Sequence, residues 1–308
     1  MKFSIVSLVL AATITEAAYT VLKESYTPAN FFSKFDFYTG GDPTNGFVKF
    51  IDQTSAQSQG LIKTNTDSVY IGVDFKNAAP NGRQSLRLES KTRFQRGLII
   101  LDLTHMPTGC GTWPAFWTLG DDWPNQGEID IIEGVHLQTK NDITLHTSNG
   151  CSTSGTGQTG TSVTKNCFVN APNQSNNQGC GNEDPRTNSY GAGFNSNGGG
   201  VYATEWNSGW IKVWFFPRNA IPADALSGNP EPLKWGNPVA NFQGGCDIDS
   251  HFKNHKIVLD VTFCGDWAGN VWSGSGCPGN SCNNYVANTP AAFSEAYWNI
   301  KSLKVWSQ

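Results

Sequence analysis

Apolar and polar residues alternate in short runs along most of this chain, the period expected of strands with one buried face. Val69-Tyr70-Ile71-Gly72-Val73-Asp74-Phe75 alternates, and so does Ser85-Leu86-Arg87-Leu88-Glu89-Ser90. Gly97 to Leu103 is apolar almost without interruption, which predicts a strand covered on both faces. Further strands are predicted at Val201–Trp206, Trp210–Phe216, Lys256–Phe263 and Asn299–Trp306. Gly-Gly, Asn-Gly and Ser-Gly turns separate them, and no long stretch keeps a helical period. The reading is all-β, a β-sandwich of the jelly-roll type.

Residues 1–17 break this pattern. Lys2 precedes an apolar run of about ten residues and then small residues at Thr15-Glu16-Ala17, which predicts a cleaved secretory signal. A membrane anchor is the competing reading, but spanning needs roughly 20 apolar residues. Residues 18–308 then form one domain, expected to be secreted, extracellular and free of the membrane. The eight cysteines, an even number in an exported chain, predict four disulfides. Zinc competes, yet there is no C-x-x-C pair and the histidines lack finger spacing. Cys277 and Cys282 are close enough to close a small local loop. Cys151–Gly200 has a linker's composition but holds three cysteines, so it is expected to be a stapled surface excursion. Within it, Asn173-Gln174-Ser175 is a glycosylation sequon. Gly155-Thr156-Gly157-Gln158-Thr159-Gly160 matches a dinucleotide motif without its strand and helix, and no cofactor is expected. The net charge of -4 offers no basic face for nucleic acid. A monomer acting on an uncharged substrate suits this balance.

Chemistry concentrates in Glu128-Ile129-Asp130-Ile131-Ile132-Glu133. Strict alternation puts Glu128 and Asp130 on one face and Glu133 on the other. One β-bulge would absorb a residue and return Glu133 to its partners' face. Two carboxyl groups facing each other across a sugar are what hydrolysis of a glycosidic bond requires. A solvated acidic face and a calcium site are the alternatives. Trp113, Trp117 and Trp123 lie just upstream, and Trp123 sits in a polar turn where a core residue is unexpected. Indole faces make platforms for sugar rings. His146 falls in what should be the next strand, where it could hydrogen-bond a sugar hydroxyl or Glu133. Burial should raise the pKa of whichever carboxyl serves as proton donor while its partner stays ionised.

At this point the residues resemble a known family. Gly127 through Gly134 looks like the signature of glycoside hydrolase family 16, and Gly97 through His146 is similar to fungal laminarinases and endo-1,3(4)-β-glucanases. Asp42–Val48 and Phe263–Gly269 extend the likeness over nearly the whole chain. The resemblance implies a concanavalin-like jelly roll with a concave substrate cleft and a retaining mechanism without metal. It assigns Glu128 as nucleophile, Glu133 as acid/base and Asp130 as an orienting helper. It places Trp117, Trp123, His146 and Trp267 at the subsites nearest the scissile bond, with Arg87 and Asn45 farther along. The E-x-D-x-x-E spacing resembles laminarinases rather than lichenases, which favours β-1,3-glucan and admits mixed β-1,3/1,4 chains. A wall transglycosylase would share every catalytic residue. A non-catalytic lectin-like module would have no need of the acids.

Overall fold

In a computed structural model that describes residues 18–307, two eight-stranded sheets pack face to face. The front sheet runs, in spatial order, Thr161–Ser162, Cys180–Glu183, Asp142–His146, Glu128–Glu133, Thr112–Leu119, Lys256–Phe263, Arg87–Ser90 and Phe35–Phe37. The back sheet runs Ala240–Phe242, Ile211–Pro217, Gly200–Trp206, Gly97–His105, Tyr297–Ser307, Val69–Gly72 and Ile62–Thr64. Val21–Tyr26 pairs with the last part of Tyr297–Ser307, setting Val21 beside Ser307. Every pair within these two sheets is antiparallel, so neighbouring strands need only loops between them. The longest α-helix among the described residues is Cys282–Asn288, seven residues. The predicted signal at 1–17 lies outside the described residues.

Alternation fixes which side chains fill the space between the sheets. Ile99, Leu101 and Leu103 point inward from the back, and Phe116, Ile129, Ile131, Ile132, Ile143, Leu145, Ile257 and Leu259 from the front. Burying each such side chain is worth about 1.5–3 kcal/mol. The other face of Gly97–His105 is covered too. Leu98 and Ile100 join Val201, Trp214, Phe216 and Trp306 under a lid made by Ala225 and Trp235. That second apolar layer explains the uninterrupted run in the sequence.

Three expectations are corrected. The alternating stretch Ser85–Ser90 is not one strand: Arg83–Ser85 pairs in parallel with Val48–Phe50, and Arg87–Ser90 joins the front sheet. Cys277 and Cys282 do not pair. Cys282 opens the helix that packs on the core and bonds Cys264 at the end of a front strand, while Cys277 bonds Cys110. The segment Cys151–Gly200 is more than a surface excursion, since its strands Thr161–Ser162 and Cys180–Glu183 form one edge of the front sheet. It is stapled, as expected, by Cys151–Cys246 and Cys167–Cys180.

Candidate active site

The acidic strand carries one extra residue against both neighbours. On one side Asp130 faces Trp117 while Ile132 already faces Phe116; on the other Asp130 faces Thr144 and Glu133 faces Asp142. Ile131 is the unmatched residue. Ile131 and Ile132 are therefore both buried in the core, while Glu133 returns to the outer face with Glu128 and Asp130.

The register then orders the outer face of the front sheet into rows. One row reads His146, Glu128, Leu119, Lys256, and a second reads Thr144, Asp130, Trp117, Val258, Glu89. The third reads Asp142, Glu133, Ala115, Asp260, Arg87. Only Ala115, with its short methyl, stands between Glu133 and Asp260 in the row. His146 Nε2 stands 3.9 Å from Glu128 Oε1 and 3.3 Å from Asp130 Oδ2, the latter an ion-pair distance without hydrogen-bond alignment. Gly179 permits the edge strand to close over His146, because a Cβ there would come within 2.4 Å of the Leu145 carbonyl and 2.9 Å of His146 Cε1.

Four buried acids spread over three adjacent rows cannot all ionise freely. Burial, and then the charge of Asp130, push Glu128 up to about 8; His146, a hydrogen bond from Trp123 and Arg87 pull it back. Burial therefore works against the ionised Glu128 expected from the sequence. Burial and then Asp260 hold Asp130 well above the usual range. Glu133 is raised as well, by burial first and Asp130 second, against the hydrogen bond from Trp113. Asp260 is pushed up to about 7 by burial, with Arg87 opposing. Burial thus favours the neutral form of all four carboxyls, and Asp130 is the least exposed of the triplet.

The aromatic residues frame this row. Trp117 donates to Asp260 Oδ2 at 3.3 Å, and the Arg87 guanidinium lies 4.9 Å from its ring and 5.1 Å from that of Tyr38. Trp123 is 41 % exposed although its side chain reaches Glu128. Trp267 stands edge-on to Trp113 at 5.7 Å, and Trp113 donates to Glu133 Oε1 at 2.8 Å. Arg87 lies farther along, held by Glu89 at 2.9 Å, and acts on the acids through its charge. Asn45 is the most remote: it hydrogen-bonds both oxygens of Asp266 and lines a polar cavity of about 470 Å³ beyond Trp267. Asn173 is exposed in a left-handed turn, away from this row.

Two residues of the site, Asp260 and Asn141, escape a reading of the sequence, and a third, Trp113, stands in it only as one of the nearby indoles. Trp113 shares its face with Ala115 and Trp117, so alternation would reveal it once the strand is accepted. Asp260 is an acid within the mostly apolar Lys256–Phe263, a signal of the same kind as the acidic strand. Asn141 carries no local signal at all. As for metal, Glu128, Asp130 and His146 bring ligand atoms within 4.8 Å of one another. Two carboxylates and an imidazole fall well short of the six to eight oxygens that calcium takes.

The chain matches the family model described as "XgeA-like, catalytic GH16 domain" over residues 35–306. It is 54% identical over 292 residues to a probable glycosidase of Schizosaccharomyces pombe, covering 94% of this chain and 69% of that one. It is 47% identical to a probable endo-1,3(4)-beta-glucanase of Aspergillus fumigatus, covering 98% of this chain and only 48% of the relative. The chain thus spans about half the length of that relative. Among solved structures it superposes on GH16 Laminarinase 16A from Phanerochaete chrysosporium, holding two beta-glucans in donor and acceptor sites. The TM-score is 0.90, with 43% identity over 94% of this chain and 100% of that one. An elongating GH family 16 beta-1,3-glucosyltransferase gives a TM-score of 0.88, with 44% identity over 93% of this chain and 99% of that one.

Proposed function

The chain belongs to glycoside hydrolase family 16, and from that premise we propose that it is an endo-acting, retaining β-glucanase that cuts β-1,3 and mixed β-1,3/1,4 glucans. The observation that carries this reading is the single-residue bulge, which sets Glu128, Asp130 and Glu133 on one face beside exposed indole surface. Glu128, as carboxylate, attacks the anomeric carbon while Glu133 gives its proton to the departing glycosidic oxygen. Water then loses a proton to Glu133, attacks the same carbon and releases Glu128. Asp130 keeps a proton in this cycle. That removes the charge next to Glu128 and lets Glu128 ionise in its place. Trp117, Trp123 and Trp267 seat sugar rings, His146 holds a sugar hydroxyl, and Arg87 and Asn45 contact the polymer farther out. A leader predicted at 1–17, four disulfides and an exposed Asn173 sequon support export and glycosylation. No helix among the described residues is long and apolar enough to cross a membrane.

Proton NMR of the first products from laminarin tests the mechanism. The β-anomer should appear first; an initial α-anomer would overturn it. The elongating glucosyltransferase neighbour supports a second reading, glucan transfer, because the same glycosyl-enzyme can be taken by a sugar instead of water. Products longer than an added laminari-oligosaccharide acceptor would favour transfer.

A further inference from the structure

The slip in register that creates the bulge turns two backbone groups, the Ile131 carbonyl and the Glu133 N–H, toward the Asp142–His146 strand. One side chain meets both. Asn141 donates from Nδ2 to the Ile131 oxygen at 2.8 Å and accepts the Glu133 N–H on Oδ1 at 3.0 Å. These two bonds fix which end of the amide is which, and an amide supplies donor and acceptor in one plane whatever the pH. Asn141 is fully buried and held in turn. Its N–H donates to Ser189 Oγ at 3.0 Å, its carbonyl accepts from the Asp184 N–H at 2.9 Å, and the Ser189 hydroxyl donates to the Arg186 carbonyl at 2.8 Å.

We propose that Asn141 is a positioning residue for the proton donor, acting through the backbone of Glu133 to aim its carboxyl at the glycosidic oxygen. A buried asparagine that merely satisfied stray backbone groups could sit anywhere along the strand. This one grips the peptide N–H of the residue that must deliver the proton and the carbonyl two residues before it. The extra residue of the bulge gives that segment freedom a regular strand lacks, and the amide removes it. A shift of about 1 Å at a reacting group is enough to cost roughly 100-fold in rate.

The inference rests on Glu133 being the acid, and the test separates the two claims. Wild type, Asn141→Ala, Asn141→Asp and Glu133→Ala are compared on laminarin and on a dinitrophenyl β-laminaribioside, whose leaving group departs without a proton. Both Asn141 variants should lose roughly 100-fold in kcat on laminarin with KM nearly unchanged, as expected for a misplacement of about 1 Å. On the dinitrophenyl substrate they should stay within a few-fold of wild type in the glycosylation step. Equal losses on both substrates, or no loss on laminarin, would overturn the proposal. If Glu133→Ala itself loses equally on both, the assignment of the acid is what fails, and the proposal goes with it. Asn141→Asp keeps the volume and the acceptor, so it carries the test if Asn141→Ala does not fold. Failure of both to fold would make the amide a requirement of the fold alone and would also overturn it.

Discussion

Trp113 donates its indole N–H to Glu133 Oε1 at 2.8 Å, so the proton that Glu133 carries sits on its other oxygen. The indole thereby selects which oxygen serves as the acid. The same bond opposes the burial that raises the Glu133 pKa.

Replacing Trp113 by Phe removes that opposing bond, so the Glu133 pKa rises further. The alkaline limb of kcat/KM, which reports loss of the proton from Glu133, should move to higher pH. The maximal rate should fall by about tenfold to a hundredfold, since one hydrogen bond to a charged group is worth about 1.5–3 kcal/mol. A pH–rate profile of the W113F enzyme decides it, and a limb that stays in place or moves down contradicts the reading.

An ionised Asp130 would raise both Glu128 and Glu133 through its charge. With Asp130 protonated through the cycle, Asp130→Asn mimics that neutral form and should leave both limbs of the profile in place. In the wild type the acid limb should lie above pH 4.5, the ordinary value for a glutamate, because burial raises Glu128. Profiles of the two enzymes on laminarin, measured side by side, test both statements.

The raised Glu128 pKa has a cost in stability that follows from linkage. Its contribution is intact below the unfolded value near 4.5 and is lost as pH rises toward about 8, because the folded state resists ionisation. Every tenfold gain in the carboxyl's affinity for its proton on folding corresponds to about 1.4 kcal/mol. Glu128→Gln abolishes activity and removes this loss, so its Tm should exceed that of wild type by several degrees at about pH 8 and match it at about pH 4. Equal Tm differences at the two pH values would show that burial of this carboxyl is not the source.

Deleting Ile131, the unmatched residue, leaves Glu128-Ile129-Asp130-Ile132-Glu133, in which alternation alone keeps the three acids on one face. This variant should keep measurable activity on laminarin. Inserting one residue after Ile131 demands a second bulge or drives Glu133 toward the core, where an unpaired charge is costly. The insertion should lose activity and several degrees of Tm. An active insertion beside a folded but dead deletion would refute the parity argument.

What the sequence reveals is local in origin. The Lys256–Phe263 strand has the bounds its alternation suggests, and the acidic strand requires its bulge from parity alone. The rest depends on which strands become neighbours. Nothing near Asp260 announces that Ala115 and Glu133 lie across from it. Nothing near Asn141 announces the bulge it grips. Pairing of Cys277 with Cys110, 167 residues away, is equally nonlocal. The ionisation of Glu128 departs from its expected value for the same reason, since burial is a property of the assembled cleft.

Val21 and Ser307 lie side by side on the sheet opposite the acidic row. The first and last strands of the described chain thus meet on the side away from the cleft. A tether, a fused carrier or a second binding module can therefore hold the enzyme from the rear while the cleft stays turned toward a polymer too large to move. The same adjacency would let a short linker close the two ends, so that new ones could be opened in a surface loop.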